Sequence, residues 1–362
     1  MVIGTMSLSI VIPTFNEREN IDILVKEIRE KIVLTYYDIV IVDDNSPDGT
    51  WATALEHLKN NDVVIRRINM KGLSSAVIDG IIFSLTEYVV VMDADLQHPP
   101  EVINDMIRKV KEEYYDLVIA SRYIRGGGVK GWSKSRLVIS KGATLIARLL
   151  LPSVRTLSDP MSGFFMVKKD IVDRNRGKLN PMGFKILLEI LERCYPKNII
   201  EVPYIFRARV YGKSKLGIKT VVNFLIHVLR LSNWRPVKFG IVGLSGIVIN
   251  LATLWFLSLI VRVVVEQLFV LGSIIAIEVS TLWNFFLHET WTFRDRRTGS
   301  MMKRISLFHL AVLPGVVAQY VSAISIKYGL ALNPIISQTI GIVIGFPVNY
   351  IFSELGIWKS YR

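Results

Sequence analysis

Four apolar stretches in the last third of the chain limit its folds more than any other feature. Val237–Val261 holds one charged residue, Lys238, and Phe269–Phe293, Ser306–Leu330 and Pro334–Trp358 are likewise about 25 residues long and mostly apolar. A hydrocarbon core takes about 20 helical residues to cross, and lipid offers no water to satisfy a backbone that is not helical. An all-α domain with four transmembrane helices is therefore expected over residues 234–362. A soluble bundle of long core helices is the competing reading, against which four such stretches with short connections speak.

Charge orients these helices. Arg294, Arg296, Arg297, Lys303 and Arg304 crowd the second connection, and Lys359 and Arg362 follow the fourth helix, whereas the first and third connections offer Arg262 and Lys327. The positive-inside rule then puts the N-terminal domain and both termini in the cytoplasm of a multi-pass integral membrane protein. No signal peptide is expected, because Met1–Thr5 leads directly into Ser7–Ile12 without a basic segment or a long apolar run. Within the membrane region Glu278, Asn284, His288 and Glu289 stand out, since polar groups in lipid are costly and need a partner or a task. His288 and Glu289 lie near a helix end and read as interfacial. Glu278 reads either as a paired structural residue or as one that handles a polar head group.

Residues 1–215 have another rhythm: short β-branched runs alternate with amphipathic stretches bounded by Gly, Pro, Asn and Asp, the pattern of an α/β domain. Strands are expected at Ser7–Ile12, Asp38–Asp43, Val63–Ile68, Tyr88–Met92 and Asp116–Ala120, with helices at Arg18–Ile32 and Gly72–Leu85. Such near-continuous apolar strands belong to a mostly parallel sheet covered on both faces. Between the two domains, residues 216–233 repeat apolar side chains with helical period beside Lys215, Lys219, His227 and Arg230. That segment suits a helix lying on the bilayer, or one packed against the first domain.

Composition narrows the partners. Of 362 residues 51% are hydrophobic and 21% charged, which excludes a disordered chain, and the single Cys194 excludes internal disulfides and multi-cysteine zinc sites. A net charge of +13 favours a polyanion: nucleic acid, anionic lipid or a phosphorylated substrate. Nucleic acid is disfavoured, because the basic residues flank the membrane segments or a carboxylate-rich strand edge.

Ligands of parallel sheets bind beyond the carboxyl ends of the strands. There the sequence places Pro13, Asn16 and Glu17, then Asp43, Asp44 and Asn45, then Asp93, Asp95 and Gln97. Two carboxylates in Asp93-Ala94-Asp95, at the end of an apolar strand and before Pro99-Pro100, are hard oxygen ligands suited to Mg²⁺ or Mn²⁺ that also holds substrate phosphates. No P-loop or Gly-x-Gly-x-x-Gly turn is present, and Gly126-Gly127-Gly128, flanked by cations, reads as a mobile phosphate-facing loop.

Several motifs in order resemble one family. They are Ile-Val-Ile-Pro-Thr-Phe-Asn-Glu (10–17), Ile-Val-Asp-Asp-Asn-Ser-Pro-Asp-Gly-Thr (41–50), Val-Met-Asp-Ala-Asp-Leu-Gln-His-Pro-Pro-Glu (91–101), Ser-Arg-Tyr…Gly-Trp (121–132), Asp-Pro-Met-Ser-Gly-Phe-Phe (159–165) and Gly-Lys-Ser-Lys-Leu (212–216). Together they resemble second-family glycosyltransferases of GT-A fold, and among them the dolichol (polyprenol) phosphate mannose synthases. Trp-Asn-Phe-Phe (283–286) and Trp-Thr-Phe (291–293) resemble the GtrA-like four-helix membrane domain.

The resemblance implies inverting transfer of mannose from GDP-mannose to dolichyl or other polyprenyl phosphate at the surface of a lipid bilayer. By position, Pro13, Phe15, Glu17, Val42 and Asp44 would hold the nucleoside, and Asp93, Ala94, Asp95 and Gln97 the metal and diphosphate. Arg122, Arg207 and Lys213 would grip phosphates, and Arg136 would meet the lipid phosphate. The family often has Gly-Leu-Gly where this chain has Gly72-Leu73-Ser74-Ser75, and Tyr where it has Phe15, so the nucleobase pocket departs most.

The physical chemistry agrees. A departing diphosphate needs electrostatic stabilisation, from a divalent cation and from Arg or Lys. The acceptor, a phosphate monoester with a second pKa of about 6, is already a nucleophilic dianion near neutral pH and needs no general base. A single in-line displacement with Arg122 and Arg136 aligning the acceptor follows. Two alternatives stand beside it: transfer of glucose or another sugar from a UDP donor, and a membrane lipid-binding or translocating protein whose first half senses nucleotide sugars. A processive polysaccharide synthase is disfavoured, since the chain lacks Gln-x-x-Arg-Trp and offers only Ser232-Asn233-Trp234-Arg235.

Overall fold

A computed structural model describes residues 6–59, 61–208, 217–260, 266–330, 332 and 334–358. They form two compact units that divide between Leu231 and Ser232.

The first unit is built on a sheet whose strands are β1 (Leu8–Thr14), β2 (Tyr37–Asp43), β3 (Val63–Arg66), β4 (Tyr88–Val91), β5 (Leu117–Ser121), β7 (Phe165–Lys168) and β8 (Ile199–Pro203), in the order β3-β2-β1-β4-β7-β5-β8. A short parallel pair, β6 (Gly128–Val129) and β9 (Ile205–Phe206), stands apart. The helices are α1 (Arg18–Lys31), α2 (Thr50–His57), α3 (Leu73–Phe83), α4 (Val102–Glu112), α5 (Lys134–Leu150), α6 (Lys169–Arg174), α7 (Ile186–Cys194) and α8 (Ile218–Leu231). Strand alternation splits the core between the two faces of the sheet. Leu8, Ile10 and Ile12 pack with Ile21, Leu24 and Ile28 of α1, while Val11 packs with Val42 and with Ala76, Val77 and Ile81 of α3. Gly80 lets α3 approach the strand, because a methyl there would lie 2.4 Å from Val11.

The five expected strands are present with ends moved by one or two residues; β7 and β8 were not anticipated. β7 runs antiparallel between β4 and β5, so the sheet is mostly rather than wholly parallel. The glycine-rich stretch departs from expectation as well. Gly128 N–H donates to Tyr204 O (3.0 Å) and Lys130 N–H to Phe206 O (2.9 Å), so β6 is tied to β9 rather than left mobile. α8 belongs to the first unit: His227 meets Glu189 of α7 at 2.9 Å, with Val228 and Leu231 buried, while Val221, Val222, Leu225 and Ile226 stay exposed.

Cys194, at the end of α7, is buried. Burial pushes its thiol up to about 12, so the nucleophilic thiolate is suppressed at neutral pH. Maleimide labelling at pH 7 should therefore fail on the folded chain and go to completion, one label per chain, in denaturant; labelling of both alike would place the thiol at the surface.

Among its described residues the second unit carries α9 (Arg235–Ile260), α10 (Glu266–Leu287), α11 (Met301–Gly329) and α12 (Pro334–Phe352), close to the four expected stretches. Arg235–Leu257 and Met301–Ala318 are each long and apolar enough, by length and composition, to cross a bilayer. The hairpin α11–α12 repeats α9–α10. Trp-Asn-Phe-Phe-Leu-His-Glu (283–289) corresponds to Val-Asn-Tyr-Ile-Phe-Ser-Glu (348–354), and both helices finish in a π-turn, His288–Thr292 and Ser353–Ile357. Equivalent contacts recur. Phe239 meets Tyr350 (5.5 Å) as Phe308 meets Phe285 (5.8 Å), and Gly246 accommodates Asn284 as Gly315 accommodates Asn349.

The charges cross between the hairpins. Arg304 of α11 binds Glu289 through Nε and Nη2 (3.1 and 2.5 Å), and Arg235 of α9 reaches Glu354 at 3.5 Å, which Arg296 also binds at 2.8 Å. His288 stacks on Phe239 at 4.2 Å, and His288 and Glu289 are buried inside this unit. Glu278 has its partner in His309 at 3.2 Å.

Candidate active site

Parallel register brings the ends of β1 and β2 to one level, Thr14 pairing with Asp43, while β4 ends at Val91 opposite Val11, so that the turn after it starts beside the last residues of β1. With β2 on one side of β1 and β4 on the other, the crevice beyond them is where ligands of such sheets bind.

The expected nucleoside side lies after β1 and β2. Pro13 and Val42 are buried neighbours in register, and the half-buried Phe15 ring faces the Lys71 ammonium at 5.4 Å. Glu17 accepts from Asn20 Nδ2 (2.6 Å), and its N–H is held by Thr50 Oγ1 (3.0 Å). Asp44 is already engaged, accepting from Arg67 Nε (2.8 Å) and from Gly72 N–H (2.7 Å). Its carboxylate thus fixes the turn before α3, where Gly72 adopts a φ of +143° that side-chain-bearing residues avoid.

The turn after β4 is pinned from its back. Asp93 N–H donates to His98 Nδ1 (3.0 Å), and the imidazole is stacked on Phe164 and edged by Tyr204 and Phe206. Burial lowers the pKa of His98 to about 4, which keeps the ring neutral and its Nδ1 an acceptor at pH 7. Ala94 is buried, and Leu96 takes a left-handed φ of +60°, turning Asp95 back so that its Oδ1 accepts from Gln97 N–H at 3.3 Å. Gln97 and Arg207 exchange bonds, side-chain Nε2 to Arg207 O (2.8 Å) and Arg207 N–H to Gln97 O (2.9 Å). The Arg207 guanidinium lies elsewhere than expected: it bridges Glu27 (2.8 Å) and Glu101 (3.0 Å), which a phosphate would have to displace.

Asp93, Asp95 and Gln97 fit a hard divalent cation by donor type, two carboxylates and an amide oxygen. Among the described residues no three of His, Cys, Asp and Glu gather into a ready-made cage. Ligation completed by water and substrate phosphate is the habit of Mg²⁺.

Beside this turn stands the cationic half. Arg122 is buried and bound side-on by Asp159, Nε to Oδ2 at 2.7 Å and Nη2 to Oδ1 at 2.8 Å. Burial alone would lower the pKa of Arg122, but the Asp159 bonds outweigh it and hold the group above its ordinary value. Trp132 lies against both expected acceptor arginines, its ring 5.4 Å from Arg122 and 4.4 Å from Arg136. Arg136 is set in the first turn of α5, where its N–H donates to the capping Ser133 Oγ. The structure thus gathers Asp93, Ala94, Asp95, Gln97, Arg122 and Arg136 in one region: Arg122 binds Asp159, the turn that carries Asp159 passes against Asp93 at Gly163, and Trp132 joins Arg122 to Arg136. Lys213, with Arg209 and Lys215, lies outside the described residues. Sequence reasoning gave Asp159 no role; the signal was its place in Asp-Pro-Met-Ser-Gly, a carboxylate in an otherwise uncharged turn.

Known proteins match both halves. Residues 9–174 match glycosyl transferase family 2, and residues 238–358 match the GtrA/DPMS transmembrane domain. A dolichol-phosphate mannosyltransferase of Pyrococcus furiosus is 44% identical over 361 residues, covering 98% of this chain and 100% of that protein. The dolichol-phosphate mannosyltransferase of Saccharomyces cerevisiae is 36% identical over 248 residues, 65% of this chain and 90% of that one. Among solved structures, glucosyl-3-phosphoglycerate synthase of Mycobacterium tuberculosis superposes with a TM-score of 0.49 at 18% identity, over 64% of this chain and 80% of that one.

Proposed function

The chain belongs to the dolichol-phosphate mannosyltransferases, membrane glycosyltransferases of the second family, and from that premise we propose that it transfers mannose from GDP-mannose to a polyprenyl phosphate with inversion. The observation that carries this reading is the meeting of a carboxylate turn, Asp93–Asp95, with two arginines on one tryptophan. A site for two phosphorylated substrates needs both signs of charge, oxygen ligands where a cation-bound diphosphate sits and guanidinium groups where a free phosphate sits.

Asp93, Asp95 and Gln97 would hold Mg²⁺ or Mn²⁺, which would supply positive charge for the departing diphosphate. The chain's own residues do the rest. Asp159 leaves Arg122 only part of its donor fork and fixes the plane of that fork. Trp132 holds Arg136 across its face, so the acceptor phosphate is met by groups already oriented. An incoming dianion needs no proton removed, and one in-line attack from the arginine side inverts the anomeric carbon.

Membrane apposition is supported from within the first unit. α5, whose first turn carries Arg136, exposes Val138, Ile139 and Leu145, and α8 exposes its own apolar row, as helices lying at a bilayer surface do. We assign the second unit four crossings, with the catalytic domain and both termini cytoplasmic. Of the five cations counted in the second connection, Arg296 and Arg304 are buried in ion pairs, so Arg294, Arg297 and Lys303 supply the exposed positive charge.

Purified full-length chain, given polyprenyl phosphate with either GDP-mannose or UDP-glucose, should yield mannosyl lipid by mass spectrometry at a rate about a hundredfold above any glucosyl lipid. Glucosyl product alone would transfer the reading to the UDP donor. Donor binding without any glycolipid would favour the sensing alternative.

A further inference from the structure

We propose that Lys185 is a phosphate-binding residue of the transfer site, its ammonium held by one hydrogen bond to the protein and directed at phosphate oxygens brought by a substrate. The inference rests on the reading of the site given above and adds a residue to it.

Lys185 immediately precedes α7, in a loop anchored on the nucleoside side of the crevice: Gly183 O accepts from both the N–H and the Oγ of Ser74 at the start of α3 (3.4 and 2.9 Å). From there its side chain reaches across to the diphosphate side, where Nζ donates to Met161 O at 3.0 Å. Met161 lies in the turn that carries Asp159, the partner of Arg122, and Gly163, whose missing side chain leaves room for Asp93; a methyl on Gly163 would stand 3.0 Å from Asp93 Oδ2. Lys185 is therefore placed between the carboxylate turn and the buried arginine.

Its electrostatic position is unfinished. Asp93 and Asp159 attract the ammonium while Arg122 and Arg136 repel it, and no carboxylate forms an ion pair with it among the described residues. Asp159 gives three of its acceptor positions to the N–H, Nε and Nη2 of Arg122. Of three ammonium donors one is matched, by a neutral carbonyl. Burial pulls the pKa down to about 8, as it does for a cation without a close counter-charge. The half-buried ammonium thus keeps donors for oxygens that a substrate brings, and a diphosphate or a phosphate monoester offers them with the complementary charge. Merely propping the Met161 turn would not require a charge there.

The phosphate can come from either substrate, and the test separates the two. Full-length Lys185→Met and Lys185→Gln chains would be titrated with GDP and with guanosine, and assayed across polyprenyl phosphate concentrations; glutamine keeps an N–H for Met161 should methionine destabilise the turn. If the donor diphosphate is the ligand, GDP affinity falls about tenfold or more and guanosine affinity is unchanged. If the lipid phosphate is the ligand, GDP binding is unchanged and KM for polyprenyl phosphate rises by a similar factor. Lys185→Arg should recover most of either loss. GDP affinity and lipid KM both unchanged in a folded variant would overturn the proposal, as would parallel losses for GDP and guanosine. A wild-type chain that binds UDP and not GDP would fail the donor assignment alone, and Lys185 would then be judged by the same comparison of UDP with uridine.

Discussion

Replacing Asp95 by alanine should reduce mannosyl transfer by about a thousandfold or more and remove its dependence on added Mg²⁺ or Mn²⁺. Asp95 is buried, and the left-handed turn at Leu96 folds its carboxylate against the Gln97 N–H, so its direction is set before any ligand binds. Alanine leaves the strand end and the His98 anchor of Asp93 in place. The loss should therefore fall on turnover, with melting temperature nearly unchanged. Asp95→Asn, which keeps the shape and one oxygen donor but not the charge, should fall between. Residual turnover at the wild-type level, with a chelator present, would mean that the diphosphate is neutralised by cationic side chains alone and that the carboxylate turn has another purpose.

How much of this could be read beforehand follows from which features are local. β1, β2 and β4 were legible because a strand buried on both faces is a continuous apolar run, and the residue after such a run in a parallel sheet is at the ligand edge; Asp44 and Asp93 followed directly. β7 was not, since its antiparallel insertion between β4 and β5 depends on partners distant in sequence, and Phe-Met-Val-Lys after a Ser-Gly turn carries no sign of direction. Counting cations left their partners out. Arg207, expected to grip phosphate, pairs with Glu27 and Glu101, and Arg296 and Arg304, counted among the cations of the second connection, are buried on Glu354 and Glu289. In each case a charge was legible and its partner was not. The repeated hairpin is the opposite case: Asn and Glu recur at matching places in 283–289 and 348–354, a signal present in the sequence that aromatic composition alone obscured.

Asp159→Asn should cost the first unit about 3–5 kcal/mol, the range for breaking one side of a buried charge pair, because Arg122 stays in place with its charge uncompensated. For a unit of this size the melting temperature should drop by roughly 6–20 °C. The asparagine can still accept through its oxygen, but it returns no charge and cannot serve both Nε and Nη2 as the carboxylate does. Activity should fall further than stability alone explains at a temperature where the variant is folded. An arginine freed from Asp159 can rotate away from Trp132, and the acceptor phosphate then meets a mobile cation in place of a fixed one. The double variant Arg122→Met with Asp159→Asn separates the two contributions. Removing the stranded charge should restore stability by about 1 kcal/mol or more, as apolar replacements of buried ion pairs do, while transfer stays lost. If the single variant kept its melting temperature within about 2 °C and its kcat/KM within about threefold, the pair would be a surface-like contact worth little. Arg122 would then have to be oriented by Tyr123, Trp132 and Phe206, whose rings lie 5.3 to 5.7 Å from it, and not by its carboxylate.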